Sequence, residues 1–206
     1  CHGEGLPRGA VGTVKRCVVF VGGDIRDYAG VAARLKDDDI LIAADSGARH
    51  LVALGRIPHM LIGDMDSIDP DIRGQLDAAG TACRVYRPEK DETDGELAIE
   101  AALETGARQI LIFGIMGDRL DHFLGVLSLL KRALDAGVQA RMVSDSQEIW
   151  LIRGQEVLDL PAGSLISLLP FGDEARGVTL QGFKYPLFNY DYAHGKPIGL
   201  SNIIEN

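Results

Sequence analysis

Between Arg16 and Val143 short apolar runs alternate with stretches of helical length. The runs are RCVVFV (Arg16–Val21), ILIAA (Ile40–Ala44), Met60–Ile62, Arg84–Tyr86, QILIF (Gln109–Phe113) and Ala140–Val143. Helical patterns fall between and after them, near 25–36, 47–54, 70–79, 94–105 and 121–136. Unbroken apolar runs suit strands covered on both faces. Strand–helix alternation predicts a parallel sheet with helices packed on it, an α/β domain over 16–143. Thr93 and Glu96 are spaced as a capping box for the fourth helix, and Gly106 is placed to end it.

After Asp145 the texture changes. Turn signals recur at Arg153-Gly154, Pro161-Ala162-Gly163, Phe171-Gly172-Asp173 and Gln181-Gly182. Ile149–Ile152, Leu165–Leu169 and Val178–Leu180 read as short strands, and no long helix pattern appears. This predicts a small all-β domain over 144–206. Residues Ser201–Asn206 offer no closing strand, so the domain is expected to be truncated at its end. Residues 1–15 are glycine-rich and read as a flexible lead-in.

Composition excludes some classes. The 206 residues carry a formal net charge of −9 and no Lys/Arg cluster, which argues against nucleic acid as a partner. No apolar run reaches membrane-spanning length, and the start lacks a secretory core. Cys1, Cys17 and Cys83 are widely spaced with no CxxC pair, so reduced thiols in the cytoplasm are expected.

In an open parallel sheet, ligands bind beyond the carboxyl ends of the strands. Here aspartates follow nearly every strand at that end: Asp24, Asp45, Asp64 and Asp66, Asp91 and Asp94, Asp118 and Asp121. Helix capping and turns account for single ones. They do not easily account for the close pairs Asp64/Asp66 and Asp91/Asp94. Carboxylates gathered on one rim repel one another unless a cation is present. Oxygen ligands without His or Cys select magnesium or manganese over zinc, and magnesium commonly bridges carboxylates to a phosphorylated substrate. Gly22, Gly23, Gly114 and Gly117 would let backbone N–H groups approach phosphate, although no P-loop or G-x-G-x-x-G pattern is present. Arg119 could neutralise phosphate charge, and His122 is a second-tier candidate base. His50, His59 and His194 lack metal-ligand spacing and carry no assigned chemistry.

Taken in order, ADSG (Ala44–Gly47), IGDMDS (Ile62–Ser67), DETD (Asp91–Asp94), GDRLDH (Gly117–His122) and GLSN (Gly199–Asn202) resemble the motifs of the thiamine pyrophosphokinase family. The resemblance implies an N-terminal ATP-binding domain, a C-terminal β-sandwich that binds thiamine, and a homodimer. It implies transfer of pyrophosphate from ATP to thiamine, with Mg2+ as cofactor. Asp64, Asp66 and Asp94 would hold the metal and act in catalysis with Arg119. Gly22, Gly23, Asp45, Asp91, Asp121 and His122 would line the ATP cleft. Ser201 and Asn202 would contact thiamine. Two positions depart from the family pattern. Asp118 stands where the family has glycine, and Gly125-Val126 replaces a segment that often carries asparagine. The competing functions are a pyrophosphokinase acting on a hydroxymethylpterin, a non-catalytic thiamine diphosphate or nucleotide sensor, and a phosphohydrolase.

Overall fold

The computed structural model describes residues 16–87, 91–172 and 174–205. The expected lead-in, 1–15, lies outside the described residues. The chain forms two compact units that divide between Leu151 and Ile152.

In the larger unit strands β1 (Arg16–Phe20), β2 (Ile40–Ala44), β3 (Met60–Gly63), β4 (Ala82–Val85), β5 (Gln109–Phe113), β6 (Gln139–Val143) and β7 (Glu148–Trp150) form one sheet. Its order is β4-β3-β2-β1-β5-β6-β7. All neighbours pair in parallel except β6 and β7, which are antiparallel. The helices are α1 (Tyr28–Arg34), α2 (Ala48–Ala53), α3 (Pro70–Ala78), α4 (Asp94–Glu104) and α5 (Leu120–Asp135).

The period-2 geometry of the strands divides the core in two. Cys17 and Val19 of β1, and Val21 just after it, join Leu97, Ala98 and Ala101 of α4 and Leu130 and Ala133 of α5. Val18 and Phe20 point the other way, to Val31 of α1, Leu51 of α2 and Leu76 of α3. The sheet is thus covered on both faces. Each fully buried aliphatic or aromatic side chain contributes about 1.5–3 kcal/mol.

Polar groups secure the edges of this core. Arg16 makes two hydrogen bonds to the buried carboxylate of Asp39, both 2.7 Å, tying the start of β1 to the turn before β2. Thr93 caps α4 by accepting from the Glu96 N–H at 3.1 Å. The Glu96 carboxylate does not complete the capping box; it accepts from Arg132 on α5 at 2.6 Å. Gly106, at φ +77°, ends that helix as its sequence position predicts.

The expected division of the chain changes. The strand at 149–152, read as the opening of the small domain, instead folds back as β7 onto β6, pairing Met142 with Ile149. The unit boundary therefore moves from 143/144 to 151/152. Cys17 is a buried free thiol, as expected.

The smaller unit is all-β. Strands β8 (Leu165–Ile166) and β11 (Asn202–Ile203) pair antiparallel, as do β9 (Glu174–Leu180) and β10 (Leu187–Ala193). The terminal segment expected to offer no strand supplies β11. Among the described residues no helix is long and apolar enough to cross a membrane.

Candidate active site

Strand order reverses between β1 and β5, and the turns following these strands meet there. Gly23 N–H donates to Gly114 O at 2.7 Å, and Asp24 N–H donates to Met116 O. A Cβ on Gly23 would collide with the carbonyl oxygens of Gly114 and Met116. One on Gly22 would collide with Ser46 Oγ. These contacts revise the reading of Gly23 as a phosphate cradle. Its N–H is committed to β5's turn, and its missing side chain serves backbone packing. The same turn is gripped by α2: Arg49 donates to Gly22 O and Gly23 O at 2.9 and 3.0 Å, and His50 Nε2 lies 2.7 Å from Gly23 O.

Next to this turn, the carboxyl ends of β2 and β3 bring acids together. Asp45 opens a single 3-10 turn, Asp45–Gly47, directly after β2, with φ at +49°. Its Oδ2 accepts from Ser67 Oγ, while Oδ1 is buried with no hydrogen-bond partner. Gly63, the last residue of β3, leaves room for it: a Cβ there would lie 3.1 Å from Asp45 Cβ. Beyond Gly63, Met65 is buried with φ at +68° and pins the turn. Asp64 and Asp66 flank it. Asp64 Oδ1 accepts from the Asp66 N–H at 3.0 Å, and Asp66 stays exposed. Asp94 enters as the first residue of α4, where the positive end of the helix favours a carboxylate.

Three of these groups lie near enough to act on one another electrostatically. Burial raises the pKa of Asp45 above the ordinary carboxylate value; the Ser67 hydroxyl opposes this, and the charges of Asp94 and Asp64 push it up further. Ionised Asp45 is therefore a cost to the folded state. With the folded pKa raised, its stabilising effect exists at low pH and is lost as pH rises through that value. Asp45→Asn should raise the melting temperature at pH 7, with the gain shrinking as pH falls toward 4. Calorimetry across that range checks it; a gain that grows on acidification would contradict the assignment.

Other sequence candidates fall elsewhere. Arg119 caps the start of α5 and is committed to Asp121, Nε to Oδ1 at 3.0 Å and a terminal nitrogen to Oδ2 at 2.5 Å. Arg119 holds the Asp121 carboxyl well below its usual range. Both side chains, with His122 and Asp118, are exposed, so the extra charge of Asp118 faces solvent. Asp91 is exposed ahead of α4. Among the described residues no three acids, histidines or cysteines are already arranged to hold a metal ion.

In the smaller unit Asn202 is buried. Its Oδ1 accepts from the Tyr185 and Ile203 N–H groups at 3.0 and 2.9 Å, and its Nδ2 donates to Tyr185 O at 2.8 Å. Gly199 packs under the Tyr192 hydroxyl, which donates to Leu168 O at 2.8 Å and accepts from Gly199 N–H at 2.5 Å. Ser201, with φ at +57°, remains exposed and gives its N–H to Ser167 Oγ at 3.1 Å. The glycine and asparagine of GLSN thus secure the unit's own backbone, leaving Ser201 outward. Sequence reading also missed Ser67, Arg49 and His50. Ser67 was within reach, because it lies in the same short motif as Asp64 and Asp66.

Two family models match the chain: the thiamin pyrophosphokinase catalytic domain over residues 31–142 and the thiamin pyrophosphokinase vitamin B1 binding domain over residues 153–206. A thiamine pyrophosphokinase of Bacillus subtilis is 33% identical over 191 residues, covering 92% of this chain and 89% of the relative. A crystal structure of thiamine pyrophosphokinase from Bacillus subtilis superposes with a TM-score of 0.83 at 34% identity, over 93% of this chain and 91% of that one. A crystal structure of the Geobacillus thermodenitrificans thiamin pyrophosphokinase gives 0.69 at 26% identity, over 93% and 89%.

Proposed function

This chain belongs to the thiamin pyrophosphokinase family, and from that we infer the reaction it carries out: ATP and thiamine give thiamine diphosphate and AMP. The observation that carries the reading is the gathering of Asp45, Asp64 and Asp94 where β2, β3 and α4 meet, with one buried carboxylate oxygen unpartnered.

In this reaction the thiamine hydroxyl oxygen forms a bond to the β-phosphorus of ATP. The bond from that phosphorus to the oxygen bridging toward the α-phosphate breaks, and the hydroxyl proton is released. Such transfers depend on positioning and on neutralising charge. The acids fit a hard cation: the donors are carboxylate oxygens, and Asp45 Oδ1 lacks a hydrogen bond that a ligand or ion would replace. Asp64, Asp66 and Asp94 would hold magnesium, with Asp45 beside them. Bound there, the ion would supply charge neutralisation for the phosphate oxygens. Arg119 would turn from Asp121 to phosphate at little cost, because a solvent-exposed pair of this kind is weak. Asp91, Asp121 and His122 would border the ATP cleft, and Ser201 is the better placed of the two thiamine candidates because it is exposed.

The apolar side chains exposed on the smaller unit, among them Val157, Leu165, Leu169 and Phe188, support a homodimer. A cytoplasmic location belongs to the same reading.

Mass spectrometry of products from ATP, magnesium and thiamine tests the function. Thiamine diphosphate and AMP should appear in equal amounts, and a hydroxymethylpterin in place of thiamine should give neither. Excess EDTA should cut AMP release to about 10⁻² of its rate or less. Ligand binding without AMP would mean a sensor, and inorganic phosphate without an acceptor product would mean a hydrolase. AMP release undiminished by EDTA would remove the metal.

A further inference from the structure

We propose that His50 is a positioning residue for this reaction: its Nε2–H, oriented by Tyr28, locks the turn after β1 against the turn that carries Asp45. The proposal rests on the functional reading above for its catalytic consequence, and on geometry for its mechanism.

His50 is 1% exposed on the six-residue helix that directly follows the Asp45–Gly47 turn. Nε2 lies 2.7 Å from Gly23 O, and Nδ1 lies 2.8 Å from the Tyr28 hydroxyl. A carbonyl oxygen can only accept, so the proton is on Nε2. In the neutral ring Nδ1 is then an acceptor, and Tyr28 must donate to it. The tautomer is thus fixed from the far side by a hydroxyl, as a histidine's role often is. Burial lowers the pKa of the ring and so favours its neutral form; the Gly23 carbonyl and the Asp24 charge oppose this, while Arg49 adds to it.

The bond closes a ring of contacts. The Asp45–Gly47 turn runs straight into α2, and α2 carries His50. His50 holds Gly23, and Gly22 packs against the Ser46 hydroxyl. Gly47 in turn packs against Phe20 O at the end of β1. Asp45 sits inside this ring in a left-handed conformation, which a non-glycine residue keeps only where its surroundings over-determine it. Loosening Gly23 would release the turn under Asp45, and with it the spacing of Asp45 from Asp64 and Asp94.

Three full-length variants test this: His50→Gln, His50→Asn and Tyr28→Phe. Glutamine can place its amide nitrogen near the Nε2 position and donate to Gly23 O, whereas asparagine reaches only the Nδ1 position. His50→Gln should keep kcat within about five-fold of the parent, and His50→Asn should lose about 10²-fold, the scale of a misplaced reacting group. KM for ATP and for thiamine should each move less than about three-fold, because the groups that contact substrate are intact. In metal-free protein, NMR should show the Gly23 and Asp24 amide protons exchanging at least about ten-fold faster in His50→Asn than in His50→Gln. Melting curves establish that each variant folds. Should His50→Asn not fold, Tyr28→Phe carries the test, with faster exchange at the same two amides and a kcat loss of about ten-fold. Equal kcat in folded His50→Gln and His50→Asn, or unchanged exchange in either folded test variant, overturns the proposal. A parent chain that makes no thiamine diphosphate would defeat the functional reading instead, and the exchange comparison would then decide the clamp by itself.

Discussion

Asp64→Asn should lower kcat for thiamine diphosphate formation by about 10³-fold while the melting temperature stays within a few degrees of the parent. The separation of the two effects follows from the local geometry. Asp64 Oδ1 accepts the Asp66 N–H, and an asparagine oxygen can accept the same bond, so the turn after β3 persists. Met65, buried behind it, keeps that turn anchored. What disappears is one negative charge from the group that also includes Asp45 and Asp94. Loss of a single preorganised electrostatic contact costs about 10²–10³ in rate, and a cation ligand stands at the upper end. Timed AMP release with a parallel thermal melt measures both quantities. A folded variant retaining more than a tenth of parental kcat would remove Asp64 from the centre of the site.

The second large effect is on stability. Phe113→Ala should destabilise the larger unit by about 3–5 kcal/mol. Phe113 ends β5, is 1% exposed, and stacks on Phe20 of β1 with ring centroids 5.4 Å apart and planes at 22°. Its neighbours across the sheet face include Leu51 and Val143, all on regular elements that cannot readily collapse into the space vacated. Truncation therefore loses apolar burial, the ring pair, and the packing of everything around the cavity. Urea unfolding followed by circular dichroism gives the value; a loss below about 1 kcal/mol would mean that the two rings do not pack as described.

What could be read from the sequence follows the same physics. ILIAA and QILIF coincide residue for residue with β2 and β5, because a strand buried on both faces leaves an unbroken apolar record. The apolar pattern predicts a fourth strand at Arg84–Tyr86, whereas the strand occupies Ala82–Val85. It lies at the sheet edge, partly exposed, where that record fades. For β7 the signal was present and its partner was not: nothing in Glu148–Trp150 distinguishes a new domain from a hairpin onto β6. A parallel sheet sends every strand's carboxyl end to one rim, which is why the sequence alone points to acids such as Asp64, Asp66 and Asp94 on that edge. Side-chain commitments were not legible. No spacing rule says that Arg119 pairs with Asp121 two residues on, that Gly23 spends its N–H on Gly114, or that Asn202 serves the backbone of Tyr185. The role of His50 is invisible to spacing rules because a lone histidine is recognised by burial and partners, which exist only after folding.

The position of β1 also bears on how the molecule assembles. It is the first strand of the sheet in the chain, yet it lies between β2 and β5, pairing Cys17 with Ile40 on one side and with Ile110 on the other. During synthesis the second of these seams must stay open until most of the larger unit has left the ribosome. Long-range parallel pairing of this kind slows folding and leaves an unsatisfied strand edge exposed to other chains in the interval. The nascent chain keeps that edge open until QILIF emerges, and a chaperone would do most good in that interval.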